Sequence, residues 1–163
     1  MSTLANMRIV IFAGGVGTRM WPLSRKSTPK QFEKIVGDKS TLQLAVERVR
    51  PEVDYSNIYI STGAQYVETV RAQLPELPKE NVIGEPEMRD VGPAVGYLMS
   101  ILAKKDPWGP VAILWSDHLV EHIDRFKDAI SAGAQYVTEN KENFVFIGQK
   151  ARFANQNLGW IEH

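Results

Sequence analysis

Residues 9–17 read Ile9-Val10-Ile11-Phe12-Ala13-Gly14-Gly15-Val16-Gly17: five apolar residues without a polar break, then three glycines in four positions. An unbroken apolar run of this kind suits a strand covered on both faces, as in a parallel sheet. Working outward, polar and proline-containing sequence runs from Thr18 to about Lys39, and Ser40 and Gln43 then have the spacing of a capping box. The spacing predicts a helix from about Ser40, with Leu42, Val46 and Val49 as its buried stripe. Ile58-Tyr59-Ile60 reads as a second strand, followed by a helix with Val67, Val70 and Leu74 on one face. Val82-Ile83 is a short third strand ending in Glu85-Pro86. A helix starting at Pro93 carries Val95, Leu98, Ile101 and Leu102 as its apolar side, since proline suits a first helical position.

Val111 to Trp115 is a further strand that runs directly into Ser116-Asp117-His118. Ile123, Phe126, Ile130 and Val137 mark one more helix, and Phe144 to Ile147 one more strand. Strands alternating with helices imply an α/β fold, an open, Rossmann-like, mainly parallel sheet with helices on both faces. Strand order is not readable from this pattern. Trp108, between Pro107 and Gly109, reads as a packed turn, and Met88 and Met99 as packing residues.

At 163 residues, the chain has the length of one domain, residues 1–163. Equal numbers of acidic and basic residues, 19 of each, give no electrostatic case for nucleic acid or an anionic membrane as partner. The absence of cysteine excludes disulfides and thiolate metal sites. No apolar run approaches the roughly 20 residues that span a bilayer, and the first residues lack the pattern of a signal peptide. The expected location is the cytoplasm.

Ligands of open parallel sheets sit beyond the carboxyl ends of the strands. Three polar clusters fall at such ends: 14–30, 85–94 and 116–118. Glycines let backbone N–H groups approach phosphate oxygens, and such nests favour anions. Arg19 adds a planar guanidinium suited to phosphate, and Lys30 a mobile point charge. A plain glycine-rich turn with surface Arg and Lys fits the glycines equally well. A P-loop is excluded, because Gly17 is followed by Thr18-Arg19 rather than Lys and a hydroxyl residue. A dinucleotide fingerprint counted from Gly15 would need glycine where Met20 stands, which leaves a nicotinamide oxidoreductase without support.

The full string Gly14-Gly15-Val16-Gly17-Thr18-Arg19-Met20-Trp21-Pro22-Leu23-Ser24, with Pro29-Lys30-Gln31-Phe32, resembles the signature of the nucleotide-sugar pyrophosphorylases. The Met-Trp-Pro-Leu-Ser and Pro-Lys-Gln-Phe variants are similar to the mannose-1-phosphate guanylyltransferase branch. The resemblance implies a loop wrapped round a nucleoside triphosphate, with Gly14, Gly15, Gly17 and Thr18 against the nucleotide and Arg19 and Lys30 on its phosphates. The segment Glu85-Pro86-Glu87-Met88-Arg89-Asp90-Val91-Gly92-Pro93-Ala94 resembles the family's base-facing segment, which adds Glu85, Arg89, Pro93 and Ala94 to the expected nucleotide site. Guanine presents N1–H and an exocyclic amine side by side, and one carboxylate, Glu85, can accept from both. Val91 stands where the family has threonine.

Asp117, in Trp115-Ser116-Asp117-His118, matches the family's Mg²⁺-binding aspartate, although Trp115-Ser116 replaces the usual Pro-Ala. Without the resemblance, an Asp after a strand reads as a turn former or helix cap. The residue types allow Mg²⁺, because that cation needs only one or two carboxylates when phosphate and water complete its shell. His118 reads as orienting its neighbours, and His122 and His163 as surface residues.

The implied reaction is transfer of GMP from GTP to a sugar 1-phosphate, mannose 1-phosphate in this branch, with Arg19, Lys30 and Asp117 as the catalytic set. The resemblance runs from about Arg8 to Ile161 and covers the N-terminal half of the family's catalytic domain. Ala151, Ala154 and Asn157-Leu158-Gly159-Trp160 depart from the family's sugar-side pattern. Two expectations follow: a remainder of the domain or a second copy completes the sheet, or the chain is a regulatory relative that binds nucleotide without turnover.

Overall fold

The computed structural model describes residues 3–15, 29–34, 37–87, 89–150, 153–154, 156 and 159–162. Four strands, β1 (Arg8–Phe12), β2 (Ile58–Gly63), β3 (Val82–Glu85) and β4 (Val111–Trp115), form one sheet in the order β3-β2-β1-β4. Every pairing is parallel, with Ile9 opposite both Ile58 and Ala112. The helices are α1 (Thr41–Glu47), α2 (Val67–Gln73), α3 (Val91–Lys105) and α4 (Ile123–Glu139).

Side-chain alternation along the two central strands assigns the helices to faces. Ile9, Ile11, Ile58 and Ile60 pack with Leu42 and Val46 of α1, Val70 of α2, and Ile130 and Ala134 of α4. Val10, Phe12 and Tyr59 turn to the opposite face, where α3 supplies Ala94, Leu98 and Leu102. The expected Rossmann-like sheet covered on both faces is therefore the observed one. Complete burial of Ile9, Val10 and Ile11 explains the unbroken apolar run. No residue of the edge strand β4 is fully buried, and Ile113 is 38% exposed.

The capping box forms as expected: Ser40 Oγ accepts from the Gln43 amide at 3.2 Å, and Gln43 Oε1 accepts from the Ser40 amide at 3.0 Å. The same residues tie α1 to α2. Ser40 Oγ donates to Gln73 Oε1 at 2.6 Å, and Gln43 Nε2 donates to the Gln73 carbonyl at 3.0 Å.

Four expectations need correction. Helix α3 begins at Val91, capped by Asp90, so Pro93 is its third residue; a proline there costs nothing because first-turn N–H groups have no intrahelical acceptor. Residues 144–147 form no strand. They lie outside the sheet with Phe144 and Phe146 exposed, while Val145 approaches Gly133 of α4. A strand needs a ladder partner, and among the described residues none pairs with 144–147 or with the outer edge of β4. Trp108 sits in a bend but is 71% exposed, with Lys141 Nζ 5.5 Å from its ring centroid. Met88 lies outside the described residues, and Met99 is partly exposed rather than fully packed.

One buried cation joins the sheet to α3. Arg8, 7% exposed, donates to the carbonyls of Leu102 (3.0 Å), Asp106 (2.7 Å) and Gly109 (3.0 Å). A Cβ at Gly109 would lie 2.7 Å from Arg8 Nη2, so a side chain there would collide with this arrangement. Replacing Arg8 with Ala strands these carbonyls; we expect a loss of about 2–3 kcal/mol in urea unfolding, and a loss below about 0.5 would contradict the assigned role.

Candidate active site at the carboxyl ends of the strands

Parallel pairing brings the ends of β1, β2, β3 and β4 to one edge of the sheet. The exit of β1 is fixed first. The Ala13 amide donates to the Ser61 carbonyl at 2.8 Å, and the Ala13 carbonyl accepts from Thr62 Oγ1 at 2.8 Å and Gln31 Nε2 at 2.9 Å. Gln31 Nε2 also donates to the Gly15 carbonyl at 3.0 Å. This amide is 1% exposed and clamps the start of the glycine loop against the short 3-10 helix Lys30–Phe32. Lys30 is thereby held beside the end of β1. Gly14 and Gly15 take their place at the β1 exit, whereas Gly17, Thr18 and Arg19 lie outside the described residues.

In the order β3-β2-β1-β4 the chain fills one side of β1 and then crosses to the other, so the topological switch lies between β1 and β4. Lys30 and Asp117 meet beside this point. The Ser116 amide donates to the Phe12 carbonyl at 3.1 Å, and Lys30 Nζ forms an ion pair with Asp117 Oδ2. Partial burial would raise the Asp117 pKa, but the Lys30 hydrogen bond and charge, with the charge of His118, outweigh it and hold the carboxyl below its ordinary value. With 37% of its side chain exposed, Asp117 presents a hard oxygen donor to solvent. Among the described residues no three His, Asp or Glu side chains gather into a metal cage. This donor set fits Mg²⁺ held by one carboxylate, water and phosphate oxygens, and does not fit an all-protein site.

Glu85 ends β3 on the other flank. Its side chain is buried, and Oε1 accepts from Ser61 Oγ at 2.8 Å. A Cβ built on Gly14 would lie 3.8 Å from the same oxygen, so the glycine loop starts directly against this carboxylate. Glu85, Arg89, Pro93 and Ala94 line one pocket of about 410 Å³ with Pro86, Glu87 and Tyr97. Arg89 is exposed and paired with Glu87 at 2.7 Å from Nε. Asp90 adopts a φ of 74° to turn the chain from this pocket into α3, and its Oδ1 accepts from the Val91 amide at 3.3 Å.

The expected residues thus occupy two places, Lys30 with Asp117 at the switch and Glu85 with Arg89, Pro93 and Ala94 in the pocket, with Gly14 between. Ser61, Thr62 and Tyr97 carry no motif in the sequence, and Gln31 stands there only within the Pro29-Lys30-Gln31-Phe32 string. Polar Ser61-Thr62 directly after the apolar run of β2 was the available signal; Tyr97 follows Pro93 by one helical turn. His118 and His122 are exposed, and His163 lies outside the described residues.

The lowered Asp117 pKa makes a pH prediction. A carboxyl more acidic folded than unfolded contributes stability that is full above the unfolded pKa and is lost as pH falls through the folded one. In urea unfolding, wild type should therefore exceed Asp117→Asn at neutral pH, and the gap should close below about pH 4. A gap that widens on acidification would contradict the ion pair.

The nucleotidyl transferase family model matches residues 8–163. The chain is 34% identical over 157 residues to a mannose-1-phosphate guanylyltransferase of Escherichia coli, covering 94% of this chain and 32% of that protein. It is likewise 34% identical over 156 residues to one from Klebsiella pneumoniae, again covering 94% and 32%. The chain therefore spans about a third of the length of these curated relatives. Among solved structures it resembles the mannose-1-phosphate geranyltransferase from Thermus thermophilus, with a TM-score of 0.73, 26% identity, and coverage of 82% of this chain and 39% of that one. The mannose-6-phosphate isomerase from Helicobacter pylori shares the fold, with a TM-score of 0.60 at 16% identity, over 82% and 47% of the two chains. With a family match spanning nearly its whole length, the chain belongs to the nucleotidyl transferase family.

Proposed function

We propose that this chain carries the nucleotide-binding part of an enzyme that transfers GMP from GTP to mannose 1-phosphate, giving GDP-mannose and pyrophosphate. The observation behind this reading is the placement of two chemistries on either side of Gly14: the Lys30–Asp117 pair at the switch point and the Glu85 pocket at the end of β3. A nucleotide has two such ends, an anionic triphosphate and a flat base with hydrogen-bonding edges.

In this reading, the base enters the pocket of Pro93, Ala94 and Tyr97. Ser61 occupies one lone pair of the Glu85 carboxylate and fixes its direction, leaving acceptors for the two adjacent guanine donors. Lys30 neutralises triphosphate charge as a phosphate oxygen of the sugar attacks the α-phosphorus and the bond to pyrophosphate breaks. The family resemblance adds Arg19, Gly17 and Thr18 to the phosphate contacts. Asp117 would hold Mg²⁺, which when bound supplies further charge neutralisation at the phosphates. No protein nucleophile is needed, because positioning and electrostatics carry such a transfer. The reading carries with it a cytoplasmic enzyme; among the described residues no helix is long and apolar enough to cross a membrane.

The chain's coverage of about a third of its relatives favours a second reading, in which this segment binds nucleotide and needs further polypeptide for turnover. Pyrophosphate release from GTP, mannose 1-phosphate and Mg²⁺ separates them. Release that needs the sugar phosphate and vanishes in Asp117→Ala supports the transferase. GTP binding without release supports the second reading, and absence of both overturns the site. Glu85→Gln should reduce the preference for GTP over ATP by about 10- to 100-fold in competition binding. Unchanged preference would remove Glu85 from base recognition.

A further inference from the structure

Arg48 stands directly after α1, and its side chain is buried, 7% exposed, yet among the described residues no carboxylate pairs with it. Burial alone pulls its pKa below the usual arginine value. Among the described residues two contacts hold the guanidinium. Nη2 donates to the His118 carbonyl at 2.6 Å, and the guanidinium carbon lies 5.5 Å from the centroid of the Phe126 ring in α4.

A buried cation without an acid is costly, and an apolar side chain of similar length would fill the same space more cheaply. What an apolar side chain cannot supply is a charged donor to the carbonyl one residue past Asp117. The other end of that turn is already tied, since the Ser116 amide donates to the Phe12 carbonyl at 3.1 Å. Asp117 lies between the two anchors, one on β1 and one reaching from α1.

We propose that Arg48 is a positioning residue: through the His118 carbonyl it fixes the turn 116–118 and so sets the direction in which Asp117 faces Lys30 and the bound nucleotide. The ligand part rests on the function proposed above; the fixing of the turn does not. Two readouts separate them. Amide hydrogen exchange needs no ligand, and Arg48→Met should raise exchange of the Ser116 amide, which donates to the Phe12 carbonyl, about tenfold or more while the amides within β1 stay unchanged. GTP binding with and without Mg²⁺ reports the consequence. Arg48→Met should cut the Mg²⁺-dependent gain in affinity about tenfold, as loss of a group orienting a metal ligand does, and leave Mg²⁺-free affinity unchanged. Arg48→Lys should recover most of both. Val46→Ala, a cavity in the same helix, should lower the melting temperature and move neither. If Arg48→Met does not fold, Arg48→Gln, polar but too short for the carbonyl, takes its place. Wild-type exchange in the turn of the folded variant overturns the proposal. If the wild-type chain binds no GTP, the function reading falls and the exchange result alone decides the role of Arg48.

Discussion

Parallel pairing of β1 on both of its edges is the constraint from which the rest follows. Phe12 sits opposite Ser61 on one side and Trp115 on the other, so three chain exits emerge side by side. β3 extends the row, with Glu85 opposite Gly63. An antiparallel partner at either edge would have sent its loop to the opposite end of the sheet. The glycine loop, Glu85 and Asp117 share one edge because backbone hydrogen bonding leaves them no other place.

The second layer of organisation is polar and buried. Ala13, Gly15, Ser61, Thr62 and Gln31 form a closed set of hydrogen bonds around the end of β1, and the Gln31 amide satisfies two carbonyls at once. Satisfied networks of this kind rigidify a structure, whereas half-satisfied ones destabilise it. Here the rigidity falls on backbone that bears the candidate site. Ser61 carries the effect to Glu85, and the Lys30–Asp117 pair carries it across the switch point. The charged groups thus sit on strand ends and short turns braced from below, as precise positioning of a ligand requires.

Much was legible in the sequence where information is local. The apolar run 9–13 announced a strand covered on both faces, because such burial leaves no room for polar residues. Ser40 and Gln43 announced a helix start, because a capping box is made within four residues. The clusters 14–30, 85–94 and 116–118 could be placed at strand ends once strands were recognised. Helix α3 starts two residues before the Pro93 that marks it in the sequence, because proline is tolerated throughout a helical first turn and Asp90 caps from an uncommon backbone conformation. Phe144 to Ile147 has the composition of a strand without the neighbour that would make it one.

What the sequence by itself determined is therefore the set of elements and the chemical character of their ends, both products of periodicity and short-range steric preference. Tertiary structure alone decided the partners. Arg8 among the carbonyls of α3 and its following turn, Gln31 across the β1 exit, Arg48 on the His118 carbonyl and Lys30 on Asp117 each join residues far apart in the chain, up to 101 positions for Arg8 and Gly109. No local pattern encodes such a pairing, because the cost of burying a polar group is set by whichever acceptor the folded sheet and helices bring within reach.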